Sequence, residues 1–243
     1  MKEIDYDKNA LKDDNEFLEE YVEDFKNASK VLEDIGACVA IYGSARFNKS
    51  NYYYKEAYKL SALLSQNGFN ILSGGSGGIM EAANRGCFDT STTESVGINL
   101  KLPFEQKTNK YVTKTATLRS FGVRKHFLMK DITSCIVFPG GFGTLDELFE
   151  VMALVQTKKS LPISIHLVGY NFWQPLVEYM KTTLAQYEVI SPSDVNILKL
   201  GDNLEEIARD VRLHVNRYLE VMKSIGLEDS KRYKLIKEQF KME

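Results

Sequence analysis

Residues 135–144 read Cys135-Ile136-Val137-Phe138-Pro139-Gly140-Gly141-Phe142-Gly143-Thr144. The unbroken apolar run before the proline predicts a strand buried on both faces, as in a parallel sheet. The glycines after Pro139 predict a sharp turn, and a helical pattern follows to about Gln156. The same strand–turn unit stands upstream twice. Ala37-Cys38-Val39-Ala40-Ile41-Tyr42 runs into Gly43-Ser44-Ala45-Arg46, with a helix expected over 52–66. Phe69-Asn70-Ile71-Leu72 runs into Ser73-Gly74-Gly75-Ser76-Gly77-Gly78, with a helix expected over 79–88.

The remaining pattern continues this alternation. Strands are expected at Val96-Gly97-Ile98-Asn99-Leu100, near Tyr111–Thr115, over Ile163–Val168 and at Val189-Ile190. Helices are expected over 121–130, over 172–185 with Pro175 near the start, and over 203–222. Strands alternating with helices imply right-handed crossovers. The fold class expected is α/β, a single Rossmann-like doubly wound parallel sheet with helices on both faces. No repeat, low-complexity tract or Pro/Gly linker divides the chain, so residues 37–200 form the expected nucleotide-binding domain. Residues 1–36 and 201–243 are helical extensions. In the first, Phe17, Tyr21, Phe25, Ala28, Val31, Leu32 and Ile35 mark one apolar stripe. The first 20 residues carry eight acids against three lysines, the pattern of a solvated face.

Composition narrows the function classes. The 243 residues are 44% hydrophobic and 26% charged, as in ordinary globular domains. A net charge of −2 argues against a general nucleic-acid coat or a membrane-surface binder. No apolar run approaches a spanning length, and the N-terminus lacks a signal-peptide core, so the cytoplasm is the expected location. Cys38, Cys87 and Cys135 lack metal-site spacing, and Cys38 and Cys135 sit inside apolar runs as small hydrophobes. His126, His166 and His214 form neither HExxH nor a helical pair. No metal is expected.

Ligands of a doubly wound sheet bind beyond the carboxyl ends of its strands. Three glycine-rich turns fall at such ends, and each offers backbone N–H groups and a helix start to an anion. A phosphate-bearing ligand is the natural occupant. The turn after Phe138 lacks the Walker A lysine, and Met80 stands where a dinucleotide fingerprint needs Gly or Ala. A P-loop ATPase and a hydride-transfer enzyme are therefore disfavoured. Glu147 lies three residues past Thr144, in the first turn of the expected helix, and Arg124-Lys125 lie on the preceding one. Arginine's planar fork suits phosphate.

Pro139-Gly140-Gly141-Phe142-Gly143-Thr144-Leu145-Asp146-Glu147 resembles the PGGxGTxxE signature of the LOG (lonely guy) family, long mislabelled lysine decarboxylases. Arg124-Lys125 stand where that family has its Arg-Lys pair. Gly74-Gly75-Ser76-Gly77-Gly78-Ile79-Met80-Glu81-Ala82-Ala83 is similar to its first glycine loop in longer bacterial members. The resemblance spans roughly 37–185. It implies a phosphoribohydrolase that cleaves a nucleoside 5′-monophosphate, purine or cytokinin, to free base and ribose 5-phosphate. It further implies Arg124 and Glu147 as the catalytic pair, with Gly140, Gly141, Gly143 and Thr144 on the phosphate. Lys125 and, in Leu102-Pro103-Phe104-Glu105, Glu105 would join the substrate site. Glu81 is a further candidate at a helix start facing the pocket, and Gly43, Ser44, Gly74, Gly75 and Gly77 belong to the neighbouring turns. The chemistry agrees: a carboxylate beside the sugar stabilises positive charge or activates water. Arg124 holds the phosphate, orients the sugar or favours departure of the base, and the sequence does not separate these. No cofactor is implied. The resemblance implies a homodimer or higher homo-oligomer. Another class stays open, a non-catalytic nucleotide or molybdenum-cofactor-type carrier that uses glycine turns only to hold phosphate.

Overall fold

The computed structural model describes residues 13–102 and 107–242. Seven strands form one sheet: β1 (Cys38–Tyr42), β2 (Asn70–Ser73), β3 (Ser95–Leu100), β4 (Lys114–Leu118), β5 (Ser134–Val137), β6 (Ser164–Leu167) and β7 (Leu198–Leu200). Their order is β4-β3-β2-β1-β5-β6-β7 and every pairing is parallel. The helices are α1 (Asp14–Leu32), α2 (Tyr52–Gln66), α3 (Ile79–Thr90), α4 (Phe121–Met129), α5 (Phe142–Gln156), α6 (Tyr170–Tyr179), α7 (Leu204–Ser224) and α8 (Lys231–Gln239).

The continuous apolar runs are explained by burial on both sides. Along β1, Cys38, Ala40 and Tyr42 enter one core with Val123 and Phe127 of α4, Leu148 of α5 and Trp173 of α6. The alternate residues Val39 and Ile41 enter the other core, with Leu60 and Leu64 of α2, Ile79 of α3 and Val215 of α7. The period-two alternation of a strand thus feeds two separate helix layers. Burial raises the Cys38 thiol to about 12, so it packs as a small hydrophobe.

The edges depart from the expected pattern. The strand sought near 111–115 lies at Lys114–Leu118, where only Ala116 and Leu118 are buried. Val189-Ile190 forms no strand: Val189 is exposed, and the seventh strand is Leu198–Leu200, in register with Ile165–Leu167 of β6. The helix after β6 keeps α geometry to Tyr179 and passes into a π turn over Met180–Leu184.

Both terminal helices are tied to the sheet. Buried Asp24 of α1 accepts hydrogen bonds from the backbone N–H groups of Arg119 and Ser120, at 2.6 and 2.7 Å. That carboxylate fixes the turn entering α4. At the other end, the Gln239 side chain accepts from Ala37 N–H at 2.6 Å and donates to the Gly68 carbonyl at 2.6 Å. No helix among the described residues is long and apolar enough to cross a membrane.

Candidate active site

Strand β1 leads through α2 to β2 on one side, while its other neighbour β5 leads through α5 to β6 on the opposite side. The crevice at such a switch point is where open α/β sheets hold ligands. Ser44, just past β1, stitches the turns around it. Its N–H donates to the Pro139 carbonyl at 3.0 Å, and its own carbonyl accepts from Ile79 N–H at 3.0 Å. A cavity of roughly 580 Å³ opens there, lined by Gly43, Ser44, Gly74, Arg124, Glu147 and the Gly140–Thr144 turn, among others. A larger depression of about 790 Å³ lies at the opposite, amino end of the strands. Its Asp34 and Glu94 are already paired with Lys231 and Lys114.

The helix starts around the cavity differ. Side-chain caps serve α1 (Asp13), α2 (Asn51), α4 (Ser120), α7 (Asn203) and α8 (Ser230). Glycines precede α3, α5 and α6, and none of them offers a cap. The first N–H of α3 goes to Ser44, and Asp202 accepts from Gly169 and Tyr170 at the start of α6. At α5 the N–H groups of Phe142, Gly143 and Thr144 have no partner among the described residues. Three donors and the positive end of the helix dipole therefore face the cavity.

One turn further along α5 lies Glu147. Its Oε1 is 3.6 Å from Nη1 of Arg124, and both side chains are largely buried. Burial pushes the Glu147 carboxyl up to about 7, against the downward pull of Arg124. Arg124 is held by its Nε, which donates to the Ile98 carbonyl at 3.1 Å. Gly74 makes room for it, because a Cβ there would run into the guanidinium and the Met80 sulfur. Ser120 caps α4 and so fixes the phase that brings Arg124 round to the cavity.

The other expected residues are placed as follows. Gly43, Ser44, Gly74, Gly140, Gly141, Gly143 and Thr144 line the cavity with Arg124 and Glu147. Gly75, Gly77, Glu81 and Lys125 are not in that lining. Gly75 packs against Gly97 and Asn99 of β3, and Gly77 lies near the Ala45 carbonyl. Glu81 does not face the pocket: it accepts from the Tyr54 hydroxyl at 2.9 Å and pairs with Lys49 at 3.5 Å. Met80 takes the cavity side instead, since successive helical residues are about 100° apart. Lys125 turns outward to Asp146 and Glu150, at 2.8 and 2.6 Å. Glu105 lies outside the described residues. Sequence reasoning passed over Met80, Arg46, Phe47, Phe142 and Phe172, which also line the cavity. For Arg46 and Phe142 the signal was position alone, each sitting within one of the glycine turns.

Residues 80–211 match the model of the family described as "Possible lysine decarboxylase", the LOG family. The chain belongs to this family. Among curated members it is similar to the probable cytokinin riboside 5′-monophosphate phosphoribohydrolase LOGL6 of Oryza sativa subsp. japonica, at 24% identity over 190 residues, covering 78% of this chain and 75% of that one. It is also similar to the cytokinin riboside 5′-monophosphate phosphoribohydrolase LOG1 of Arabidopsis thaliana, at 25% identity over 194 residues, covering 76% of this chain and 90% of that one. Solved structures of like fold include the molybdenum cofactor carrier protein of Chlamydomonas reinhardtii, with TM-score 0.55 and 15% identity over 74% of this chain and 99% of that one. The molybdenum cofactor binding protein of Rippkaea orientalis gives TM-score 0.51 and 18% identity, covering 78% and 97%. At these identities the structural likeness concerns the family's fold alone.

Proposed function

We propose that the chain is a cytoplasmic hydrolase that cleaves the N-glycosidic bond of a nucleoside 5′-monophosphate, giving a free base and ribose 5-phosphate. One observation carries this reading. A carboxyl raised to about 7 and paired with an arginine lies one turn below the helix start whose N–H groups have no partner. The phosphate sits on the α5 N–H groups and the Thr144 hydroxyl, which places the ribose beside Glu147.

The chemistry then follows from charge. As the bond breaks, its electron pair leaves with the base, and the sugar C1′ becomes cationic. Ionised Glu147 stabilises that cation and takes a proton from the attacking water, whose oxygen bonds to C1′. The proton passes on to the departing base. Arg124 eases ionisation of Glu147 and meets the negative charge growing on the base. The substrates named for the two plant relatives, cytokinin riboside 5′-monophosphates, are of this class.

A carrier, the activity named for the structural neighbours, would need the anion site but has no use for Glu147. Chromatography of products after incubation with AMP, GMP, CMP, UMP, IMP and isopentenyladenosine monophosphate separates the two. Free base with ribose 5-phosphate is expected, and nucleotide binding without release from any of them would make the chain a carrier. We further propose a homo-oligomer. The half-exposed rings of Phe17 and Phe25 on α1, Phe121 on α4 and Phe149 on α5 support it. A monomeric mass by light scattering would refute it.

A further inference from the structure

Among the described residues, three charged side chains line the cavity: Arg46, Arg124 and Glu147. Arg124 and Glu147 compensate one another at 3.6 Å. Arg46 has no ion-pair partner among the described residues, and its side chain makes no hydrogen bond there. Among the described residues the cavity therefore carries one cation without an acidic partner, beside three unpartnered backbone donors. We propose that Arg46 recognises the 5′-phosphate and discriminates a nucleoside monophosphate from a nucleoside, an inference that rests on the function proposed above.

The backbone makes Arg46 a positioned group although its side chain is exposed. Its N–H donates to the Ser44 hydroxyl at 3.1 Å. Ser44 in turn is bonded to Pro139 and Ile79, so the turn carrying Arg46 is fixed relative to the start of α5. On its other side Phe47 stacks on Tyr53, with ring centroids 6.0 Å apart. Arg46 is thus held from both flanks at the rim of the cavity.

The charge balance favours such a residue. A phosphate monoester carries about −1.5 to −2 near neutrality, and a helix start supplies only about +0.5. Arg124 shares its charge with Glu147 whenever that carboxylate is ionised, so it supplies less than a full charge. A guanidinium fork gives a full charge and paired donors that match phosphate oxygens. A nucleoside offers Arg46 no anionic group, so its cation adds most affinity for substrates that bear the phosphate.

Calorimetry on the full chain tests this with ribose 5-phosphate, inorganic phosphate and AMP as probes, beside steady-state kinetics with AMP. Arg46→Met is expected to weaken ribose 5-phosphate and AMP by about ten- to a hundredfold, the scale of hydrogen bonds to a charged group. It should raise KM for AMP, leave kcat within about threefold, and leave the melting temperature unchanged. Arg46→Lys should recover part of the affinity, because the charge returns without the fork. Unchanged ribose 5-phosphate affinity in Arg46→Met would overturn the proposal. The hydrolase reading fails separately, by the absence of base release from the wild-type chain, and the calorimetry still decides Arg46 in that case.

Discussion

Helices α5 and α6 start side by side, at the carboxyl ends of the paired strands β5 and β6, and both follow a glycine. Their starts are treated in opposite ways. At α6 the Asp202 carboxylate accepts from Gly169 and Tyr170 N–H, at 2.6 and 3.1 Å, and the helix end is closed. Gly169 itself is required by the protein, with φ +108° and Pro139 Cγ at 3.0 Å from where a Cβ would stand. At α5 no carboxylate arrives, and nothing lies within 4 Å of a Cβ built on Gly141 or Gly143. A parallel sheet supplies an anion-accepting helix start at each such turn. This chain closes one with its own side chain and leaves its neighbour without a partner among the described residues.

The largest expected effect lies on the open side. Glu147→Gln keeps the shape and removes the base, so kcat should fall about a thousandfold, within the range for general acid–base groups. The same change should stabilise the protein in alkaline solution. A carboxyl held at about 7 when folded and at its ordinary 4.5 when unfolded binds more protons in the folded state between those values. Its contribution is favourable below 4.5 and is lost as pH rises through 7. Glu147→Gln is thus expected to gain ~3 kcal/mol at pH 8 and far less at pH 4, by denaturant titration at both. A variant no more stable at pH 8 than the wild type would contradict the burial of an ionisable Glu147. The gain in stability beside the loss of activity is the usual balance at a catalytic group.

On the closed side, Asp202→Ala strips the acceptor from two N–H groups and should cost ~1–2 kcal/mol, read as a lower melting temperature. Nucleotide affinity should not change, since Asp202 lies outside the cavity lining. If instead phosphate binding improved strongly, α6 would be a second anion site held in reserve, and the contrast between the two starts would collapse. Gly141→Ala is the complementary experiment. Its φ of −94° suits any residue and its Cβ meets no protein atom, so stability should move by less than ~0.5 kcal/mol. The added methyl would occupy the space assigned to phosphate, and KM should rise about tenfold. An unchanged KM would place the ligand elsewhere in the cavity.

The sequence made the centre of this fold legible and its rim obscure, for a physical reason. Strands β1, β2 and β5 are buried on both faces, so continuous apolar runs announce β1 and β5 and a short apolar stretch announces β2, and the glycine turn that follows each is a local feature. Edge strands need less burial. In β4 the run Lys114-Thr115-Ala116-Thr117-Leu118 buries only alternate residues, and β7 is three residues long. Val189-Ile190 has the stronger strand propensity but turns Val189 to solvent. What decides between such segments is pairing with β6, which is not local. The site divides along the same line. Glu147 and the glycines sit in one nine-residue motif. Arg46, Met80 and Phe172 reach the cavity from a turn and two separate helices, and only the sheet order brings them there. The choice of Met80 over Glu81 depends on the phase of α3, which is set by the bond from Ile79 to Ser44.

Lys125 gives the smallest and most specific test. It stands beside Arg124, yet it bridges Asp146 and Glu150, which flank Glu147 on α5. Burial alone would lower its ammonium; the two carboxylates outweigh that and raise it. The bridge ties α4 to α5 and neutralises two carboxylates, Asp146 and Glu150, both of which push the Glu147 carboxyl up. On the proposed function, Lys125 is then expected to act as a positioning residue through Glu147 rather than on the substrate. Lys125→Gln leaves two unpaired carboxylates beside Glu147, whose ionisation then becomes harder. The acidic limb of the kcat/KM profile should move to higher pH, by about half a unit, with the plateau reduced only a fewfold. Lys125→Arg should restore the limb, since it keeps the charge between the same two partners. A direct substrate contact predicts the opposite pattern, a raised KM at every pH with the limb in place. The direction of that shift thus decides whether the second residue of the Arg-Lys pair touches the ligand or tunes Glu147.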